Sequence, residues 1–543
     1  MVYVGLARYV HYRQRDEIRT ALEAEGISLS TGTISELAHS FLTYLERLHL
    51  ARADRLRAAL EADGGWPLHV DATGEQGRGT LLVAFAGWRR WVLGAWKIPT
   101  ERADAILPRL LWVADVFGAP CAAVRDLGRA VTEALNKFVV RLRLLIPILA
   151  CHLHFLRDIG GDLLKQSHDQ LRDLIRSQKI RTGLAALARD LGRGLGPDLD
   201  KGIEGLLVWQ EHVEQGHDLP DGAAGVACVR ALAQWVLDFA ADGRDDGFPF
   251  DRPYLDFYER GCEMRRAVDA FHRRPPTSPA VGRALRRLGR ILDPLQHHEG
   301  FTQAAKTLRQ RVELFEKLRD ALRLTMKPGG RNSPTTDVLP VNEAAAELRD
   351  IRKAVLKLRA WLRKNRPKRG PAEDRRKAID IILRHLRDHG RYLWGHAIRL
   401  SGAASGDQRV VDRTNNEAEH FFKGTKHDMR RQSGRKILTQ DMEQFPAAAA
   451  LARNLKRPDY VALVCGSLGD LPRVFAELDS QEDDVKAKQN GADPKTPDEP
   501  EITDLISASL PRADRKFVRA PALVAKIFAA AMSRAPSLDL SSG

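Results

Sequence analysis

Residues 66–98 contain three short apolar runs: WPLHVD at 66–71, TLLVAFAGW at 80–88 and RWVLGAWKI at 90–98. The second and third runs are apolar and aromatic and are joined so tightly that they predict a β-hairpin. The apolar spacing of residues 101–117 then predicts a helix, and PCAAV at 120–124 predicts a buried strand. A helix over 128–140 and a strand over 144–150 follow. This order predicts an α/β fold in which helices pack on a mixed sheet.

The N-terminal region, residues 1–62, is predicted to be helical. Apolar residues at spacings of three and four predict one helix over 15–25 and another over 31–45, with Gly26 breaking the chain between them. Two helices joined by a short turn suggest a helix-turn-helix, with Ser30, Thr31 and Thr33 near its DNA-facing end. A plain helical hairpin is the alternative.

Composition narrows the classes of protein that remain. The chain has 543 residues, with 86 Lys plus Arg against 71 Asp plus Glu, which gives a net charge of +15. Apolar residues at 43% exclude global disorder, and no uninterrupted apolar stretch predicts a membrane span. The N-terminus does not have the pattern of a signal peptide, and five scattered cysteines favour a reducing cytoplasm. The basic excess favours a polyanionic partner, most often nucleic acid.

Two carboxylates follow predicted strands. Asp71 ends the first strand and Asp126 ends the strand after the first helix, so in a mixed sheet their side chains can lie side by side. Carboxylates on rigid strands suit Mg²⁺, and a pair of such ions can activate water and stabilise a leaving 3′ oxygen. A two-metal site of this kind needs a third carboxylate. The alternative is that each Asp has only a capping or turn role.

The segment RTNNEAEHFFK at 413–423 supplies the third candidate. Thr414, Asn415 and Asn416 are good capping residues and predict the start of a helix that carries Glu417 and Glu419. A carboxylate near a helix start, followed by cations suited to phosphates, is typical of a nuclease-type site. A solvated, capped basic helix is the alternative.

Four segments together resemble the bacterial insertion-sequence transposases of the RNase H-like DDE type: VDAT at 70–73, VRDLGRA at 124–130, ACHLHFLRDIG at 150–160 and RTNNEAEHFFK at 413–423. The resemblance maps the family's first Asp to Asp71 and its second to Asp126. The T-N-N-x-x-E pattern maps the Glu to Glu419 rather than Glu417. Cys151 and His154 look like the C-x-x-H element of Mutator-like relatives.

The resemblance implies an RNase H-like core that is interrupted by a large all-α insertion, since residues 155–400 have helical periodicity almost throughout. We therefore expect six regions: a helix-turn-helix-like DNA-binding segment at 1–62, the first part of the core at 63–160, the insertion at 161–405, the second part of the core with the Glu at 406–480, a disordered linker at 481–502, and a weakly helical tail at 503–543.

The resemblance also implies an activity. Two Mg²⁺ ions, with Mn²⁺ as a substitute, would be held by the three carboxylates, and the enzyme would cleave double-stranded DNA at transposon ends and join them to target DNA. The partners would be transposon-end and target DNA, the active complex a homodimer or larger, and the location the bacterial nucleoid. Two alternatives are an RNase H-like nuclease that cleaves without joining and an inactive or truncated transposase-derived DNA-binding protein.

DNA contacts are predicted from position and charge. Trp394, just before the Glu-bearing segment, is a candidate for stacking on an extruded base, with core packing as the alternative. Cys151, His152 and His154 lack the partner pair of a zinc site, and packing is the favoured interpretation. The full set of predicted DNA-binding residues is Ser30, Thr31, Thr33, Trp394, Arg413, Asn415, Asn416, Lys423, Lys426, Arg430, Arg431, Arg435 and Lys436.

Overall fold

The computed structural model of the chain describes residues 1–212, 218–242, 247–273, 276–324, 341–399 and 408–489. The described chain is α/β and mostly helical, and it divides into two compact units. Residues 1–151 and 392–489 belong to the first unit, and residues 152–324 and 346–391 belong to the second. The first unit holds the three candidate catalytic carboxylates.

A five-stranded mixed sheet lies in the first unit, as the sequence predicts. In chain order its strands are β1 (Pro67–Glu75), β2 (Arg78–Ala86), β3 (Trp91–Lys97), β4 (Ala122–Arg125) and β5 (Ile148–Ala150). Their spatial order is β3-β2-β1-β4-β5. β2 is antiparallel to both β1 and β3, and β4 and β5 run parallel to β1.

The first strand is longer than predicted. Asp71 does not end β1, because the strand continues to Glu75, which pairs with Arg78 of β2. Gln76 and Gly77 between them have φ of 52° and 74°, the left-handed geometry that a tight two-residue hairpin turn requires. The apolar run that predicts the strand stops at Asp71, but backbone pairing with β2 extends the strand past it.

The other differences from the predicted strands are local. β5 begins at Ile148 rather than at 144, because Arg143 adopts a left-handed φ of 52° and the side chain of Leu145 points fully into solvent. A second, two-stranded antiparallel sheet joins β6 (Ala397–Arg399) to β7 (Gln408–Val410). Each of these two strands has only three residues, and neither is predicted from the sequence.

Helices account for most of the described residues. In chain order they are α1 (Val2–Tyr9), α2 (Arg15–Ala24), α3 (Thr31–Ala51), α4 (Ala53–Ala62), α5 (Ala103–Phe117), α6 (Arg129–Arg141), α7 (His152–Ser177), α8 (Ile180–Leu195), α9 (Leu199–His212), α10 (Gly222–Leu237), α11 (Pro253–Arg273), α12 (Pro279–His297), α13 (Glu299–Ala321), α14 (Val341–Lys364), α15 (Glu373–Asp388), α16 (Asn416–Ser433), α17 (Thr439–Gln444), α18 (Pro458–Val464) and α19 (Leu471–Gln489).

The core of the first unit joins both ends of the described chain to the sheet. Phe41 and Leu45 of α3 are fully buried in the same apolar cluster as Phe475 of α19 and the inner face of β2. A smaller cluster, which includes Ile18 and Ile34, packs α2 against α3. The N-terminal helices are therefore part of this core, and a DNA-reading role for them remains a prediction.

The second unit is built from helices alone over the residues that the structure describes there. Its helices bury apolar faces whose residues recur at spacings of three and four, such as Leu156, Ile159 and Leu163 of α7. Among the described residues, no helix is both long enough and apolar enough to cross a bilayer.

The predicted linker at 481–502 is helical at its start, because α19 continues to Gln489. This stretch contains helix-forming Glu, Lys, Ala and Gln residues and has no proline, which explains why the helix continues. Residues 490–502 of that linker and the predicted tail at 503–543 lie outside the described residues.

Candidate active site

Asp71 and Asp126 occupy equivalent positions on neighbouring parallel strands. The pairing of β1 with β4 ends at Val70 and Arg125, so Asp71 is the next residue of β1 and Asp126 directly follows β4. Neighbouring strands run about 4.8 Å apart, which brings the two backbone positions together. Asp71 is 7% exposed, and its Oδ1 accepts a hydrogen bond from the N–H of Ala72 at 2.8 Å.

Cys151 extends this row of residues across the sheet. β5 pairs with β4 up to Ala150 and Arg125, so Cys151 follows β5 as Asp126 follows β4. Its Sγ is buried and accepts a hydrogen bond from the backbone N–H of Asn415 at 3.2 Å. The residue that precedes α16 is therefore fixed to the same edge of the sheet as the two Asp.

A second contact fixes Asn415 to β1. Its Oδ1 lies 3.0 Å from Nδ1 of His69, and both side chains are buried. His69 and Asp71 are two residues apart on one strand and therefore point to the same face of the sheet. The N-terminus of α16 thus lies over the face of β1 to which Asp71 points.

The helix α16 runs along β1 from this point. Nζ of Lys426 donates to the carbonyl of Gly74 at 2.8 Å and lies 3.1 Å from Oε2 of Glu75. The rise from Asn415 to Lys426 is about 16 Å along a helix, and His69 to Gly74 spans about 17 Å along a strand. The near equality shows that helix and strand are close to parallel.

The same comparison of helix rise with strand rise gives the level of Glu419 along β1. Four residues of helix beyond Asn415 advance about 6 Å, which corresponds to about two residues of strand beyond His69. That is the level of Asp71, but the carboxylate of Glu419 lies within 4.8 Å of Sγ of Cys151. Among the described residues, Glu419 forms no group with Asp71 and Asp126 in which all ligand atoms lie within 4.8 Å of one another. Glu419 also lies seven residues, or two turns, before Lys426 and so shares the side of α16 that faces β1. The side chain of Glu419 is half-buried, whereas the side chain of Glu417 lies outside the described residues.

A fourth carboxylate, Glu101, lies beside Asp126. A Cβ built on Gly128 would lie 3.0 Å from Oδ1 of Asp126 and 3.3 Å from Oε1 of Glu101, so the two oxygens are separated by at most the sum of those distances. Burial, together with the charge of Asp126, raises the pKa of Glu101. Sequence reasoning missed Glu101 because it precedes α5 rather than following a strand.

All of the acidic ligands at this edge offer oxygen atoms. Oxygen is the donor that Mg²⁺ prefers, and a small group of carboxylates on strands and an anchored helix suits a hard divalent cation. Mutual repulsion between such carboxylates is relieved when a cation binds among them. Asp71, Asp126 and Glu101 therefore offer the donor type that suits Mg²⁺, whereas Glu419 lies within 4.8 Å of Sγ of Cys151, a softer donor.

Cations surround α16 but differ in exposure. Arg413 and Asn415 are fully buried, and Lys426 is held by β1, so their side chains act within the fold. Trp394 is half-buried, and the side chain of Asn416 is outside the described residues. The predicted DNA-binding residues that remain exposed on and after α16 are Lys423, Arg430, Arg431, Arg435 and Lys436.

A cleft of about 640 Å³ separates the N-terminal helices from α16 and α17. Arg8, Arg15, Arg435 and Arg453 line it, and Ser35 of α3 is also in its wall. Two lining carboxylates, Asp441 and Asp428, pair with Arg435 at 3.5 Å and Arg453 at 3.6 Å, so the excess positive charge comes from Arg8 and Arg15. Sequence analysis predicts a DNA contact for only one of these four arginines, Arg435. Arg8 and Arg15 come from α1 and α2, remote from it in sequence, and Arg453 lies 18 residues after it.

The three predicted contacts at the start of α3 border this region. Ser30 caps the helix by accepting a hydrogen bond from the N–H of Thr33 at 3.0 Å, and the two hydroxyl oxygens lie 2.9 Å apart. Thr31 accepts through its carbonyl from Oγ of Ser35 at 3.0 Å. Ser30 is exposed and both threonines are half-buried.

Comparison with known proteins adds no relative. The chain matches no protein family, no curated protein and no solved structure. The function must therefore be argued from the geometry of the carboxylates, the basic cleft and the order of elements.

Proposed function

We propose that the chain is a DNA transposase with an RNase H-like catalytic core, whose catalytic carboxylates are Asp71, Asp126 and Glu419. The observation that carries the proposal is the alignment of Asp71 on β1 with Asp126 directly after β4, with the start of α16, four residues before Glu419, fixed to the same edge of the sheet. The order of elements supports it: the first Asp is on the first strand, the second follows the fourth strand, and the Glu is on a late helix.

The three carboxylates would hold the divalent ions, and Glu101 adds negative charge beside Asp126. When bound, two Mg²⁺ or Mn²⁺ ions supply an activated water and stabilise the leaving 3′ oxygen. The chain contributes rigidity, since two ligands are anchored by a sheet and the third by a helix whose start is fixed through Asn415.

The basic cleft supports a DNA-binding role in the same unit. Lys423, Arg430 and Arg431 are exposed along α16 beyond Glu419, and Arg15 and Arg435 line the cleft. Cations in such a row bind backbone phosphates and set the register of a duplex without reading its sequence. The helix-turn-helix at α2 and α3 belongs to this proposal as the element that reads the transposon end.

The proposed reaction has two steps. Water attacks a phosphodiester at the transposon end, the bond from phosphorus to the 3′ oxygen breaks, and that oxygen takes a proton. The freed 3′-hydroxyl then attacks a phosphodiester of target DNA and displaces the target's own 3′ oxygen. Two ends must be joined together, so the proposal includes a homodimer or a larger assembly.

The test is Mg²⁺-dependent nicking of a DNA fragment that carries the repeats flanking the gene. Glu419→Gln removes a charged ligand and keeps the size of the side chain, so we expect cleavage to fall about 100-fold or more with DNA binding retained. Asp115→Asn, an exposed carboxylate on α5, is the matched control and should cleave at the wild-type rate.

Each other outcome has a defined meaning. Cleavage that survives Glu419→Gln but is lost in Glu417→Gln would reject Glu419 as the third ligand. Cleavage without joining of a product that has a free 3′-hydroxyl would reject transposition in favour of a nuclease. DNA binding without any cleavage by the wild type would reject catalysis altogether.

A further inference from the structure

In the second unit, α7 and α15 contact each other, and each carries residues whose side chains can bind a metal ion. Asp158 and Asp162 lie one turn apart on α7, and His385 on α15 lies one turn before His389, which follows the end of that helix. Residues four apart on a helix share a face. The two acidic residues therefore oppose the two histidines along the contact between α7 and α15.

The distances suit coordination of one ion. Ligand atoms of Asp158, His385 and His389 all lie within 4.8 Å of one another. Oδ2 of Asp158 is 3.3 Å from Nδ1 of His385. In a tetrahedral site with bonds of about 2.0–2.1 Å, ligand atoms are about 3.3–3.4 Å apart, so this pair already has the required spacing.

Asp162, the fourth residue of the group, orients the buried ring of His385. Nε2 of His385 lies 3.1 Å from Oδ2 of Asp162, and Nη2 of Arg384 holds the same oxygen at 2.6 Å. A histidine that binds metal through one ring nitrogen usually donates the other N–H to a carboxylate, which fixes the ring. His385 is 6% exposed, whereas the side chains of Asp158 and Asp162 are 48% and 49% exposed, so the site lies at the surface of the unit with one buried histidine.

We infer that Asp158, His385 and His389 form a binding site for a divalent transition metal ion. Two imidazoles and one carboxylate favour Zn²⁺ over Mg²⁺, which prefers oxygen ligands only. The ion ties the first helix of the second unit to its last. Three protein ligands leave one coordination position for water, and the site shares no residue with the proposed catalytic carboxylates.

The test measures Zn²⁺ bound per full-length chain by equilibrium dialysis with elemental analysis, in excess Mg²⁺. We expect His385→Asn and His389→Ala each to lose one equivalent of Zn²⁺ relative to wild type. Asp162→Asn should lower the affinity of the site for Zn²⁺ by about 10- to 100-fold, because it removes the carboxylate that orients His385. Circular dichroism checks that each variant is folded, and the half-buried position of His389 makes its variant the gentler change.

The matched control is His297→Asn. His297 on α12 lies 3.1 Å from the carboxylate of Asp293 one turn away, but no second histidine joins the pair in the metal-binding groups of the described residues. Zn²⁺ binding should be unchanged by this substitution. Equal Zn²⁺ uptake by wild type and both ligand variants, or no uptake by wild type, would overturn the inference.

Discussion

Gly128 provides the space that the carboxylates of Asp126 and Glu101 occupy. Its φ of −54° and ψ of 131° are open to any residue, so the requirement for glycine here is one of space alone. An alanine Cβ would stand 3.0 Å from Oδ1 of Asp126 and force that carboxylate to move.

We therefore expect Gly128→Ala to lower the proposed cleavage activity by about 10- to 100-fold, because small misplacements of a reacting group have large kinetic effects. The free energy of unfolding should change by about 1 kcal/mol or less. The two measurements are Mg²⁺-dependent cleavage and urea unfolding. Wild-type cleavage by the variant would show that the position of the Asp126 carboxylate does not matter.

A buried histidine makes stability depend on pH. His49 lies 2.7 Å from the hydroxyl of Tyr460 and 3.1 Å from the carbonyl of Leu93, contacts that a neutral ring satisfies. Burial lowers the pKa of His49 to about 4, although the bond to Leu93 opposes the shift. The unfolded chain, with an ordinary histidine pKa near 6.5, therefore binds more protons between pH 6.5 and pH 4.

Stability should consequently fall as the pH falls through that interval. For His49 alone, the loss at pH 5 is about 2 kcal/mol relative to pH 7. His49→Gln keeps hydrogen-bonding groups and does not titrate. Between pH 7 and pH 5, its free energy of unfolding in urea should therefore fall by about 2 kcal/mol less than that of the wild type. An equal fall in both proteins would contradict the assignment.

At the scale of single elements, α7 contains two adjacent glycines in different surroundings. A Cβ on Gly160 would lie 2.1 Å from Cγ of Pro249, whereas a Cβ on Gly161 would meet nothing within 4 Å. One glycine allows a close approach of two segments, and the other has no packing role.

Gly160→Ala should therefore destabilise the protein by about 1–3 kcal/mol through overpacking. Gly161→Ala should stabilise it by about 0.5–1 kcal/mol, since alanine is the better helix former. Each variant is the control for the other in urea unfolding of the full chain. Shifts of the same sign would mean that the helix packs differently around Pro249.

Elements that depend on local pattern were predictable, and those that depend on a partner were not. α16 begins where the capping residue types predict it and the strands where their apolar runs predict them, although the side chain of Asn415 makes no capping hydrogen bond and instead contacts His69. The true end of β1 depends on pairing with β2, and the place of Glu101 beside Asp126 depends on how the helix after it packs. The contacts of Asn415 with His69 and Cys151 join residues that are hundreds of positions apart in the sequence.

At the scale of the whole molecule, the first unit is stabilised by contacts between its N-terminal and C-terminal helices. The ring of Phe475 on α19 lies 5.9 Å from the ring of Phe41 and 5.2 Å from that of Tyr44, both on α3. The hydroxyl of Tyr44 also donates to Asp479 at 2.7 Å. Of the two helices predicted to read DNA, α3 thus packs directly on α19.

Phe475→Ala should lower the free energy of unfolding by about 3–5 kcal/mol, because it removes a buried aromatic side chain. Amide hydrogen exchange should accelerate in α3 as well as in α19, since both helices line the cavity. Leu50→Ala is the control: that side chain is 38% exposed, and we expect a change of about 0.5 kcal/mol or less. Faster exchange in α19 alone would show that α3 does not depend on it.

The shared core also determines when, during synthesis, α3 can pack against α19. Phe41 leaves the ribosome 434 residues before Phe475. At about 5–20 residues per second, that interval is roughly 20–90 s. Throughout it the apolar face of α3 lacks its partner and is a surface for chaperones to bind. A chain that terminates before α19 cannot cover this face, which therefore stays exposed to aggregation and proteolysis, whereas a chain that includes α19 buries it.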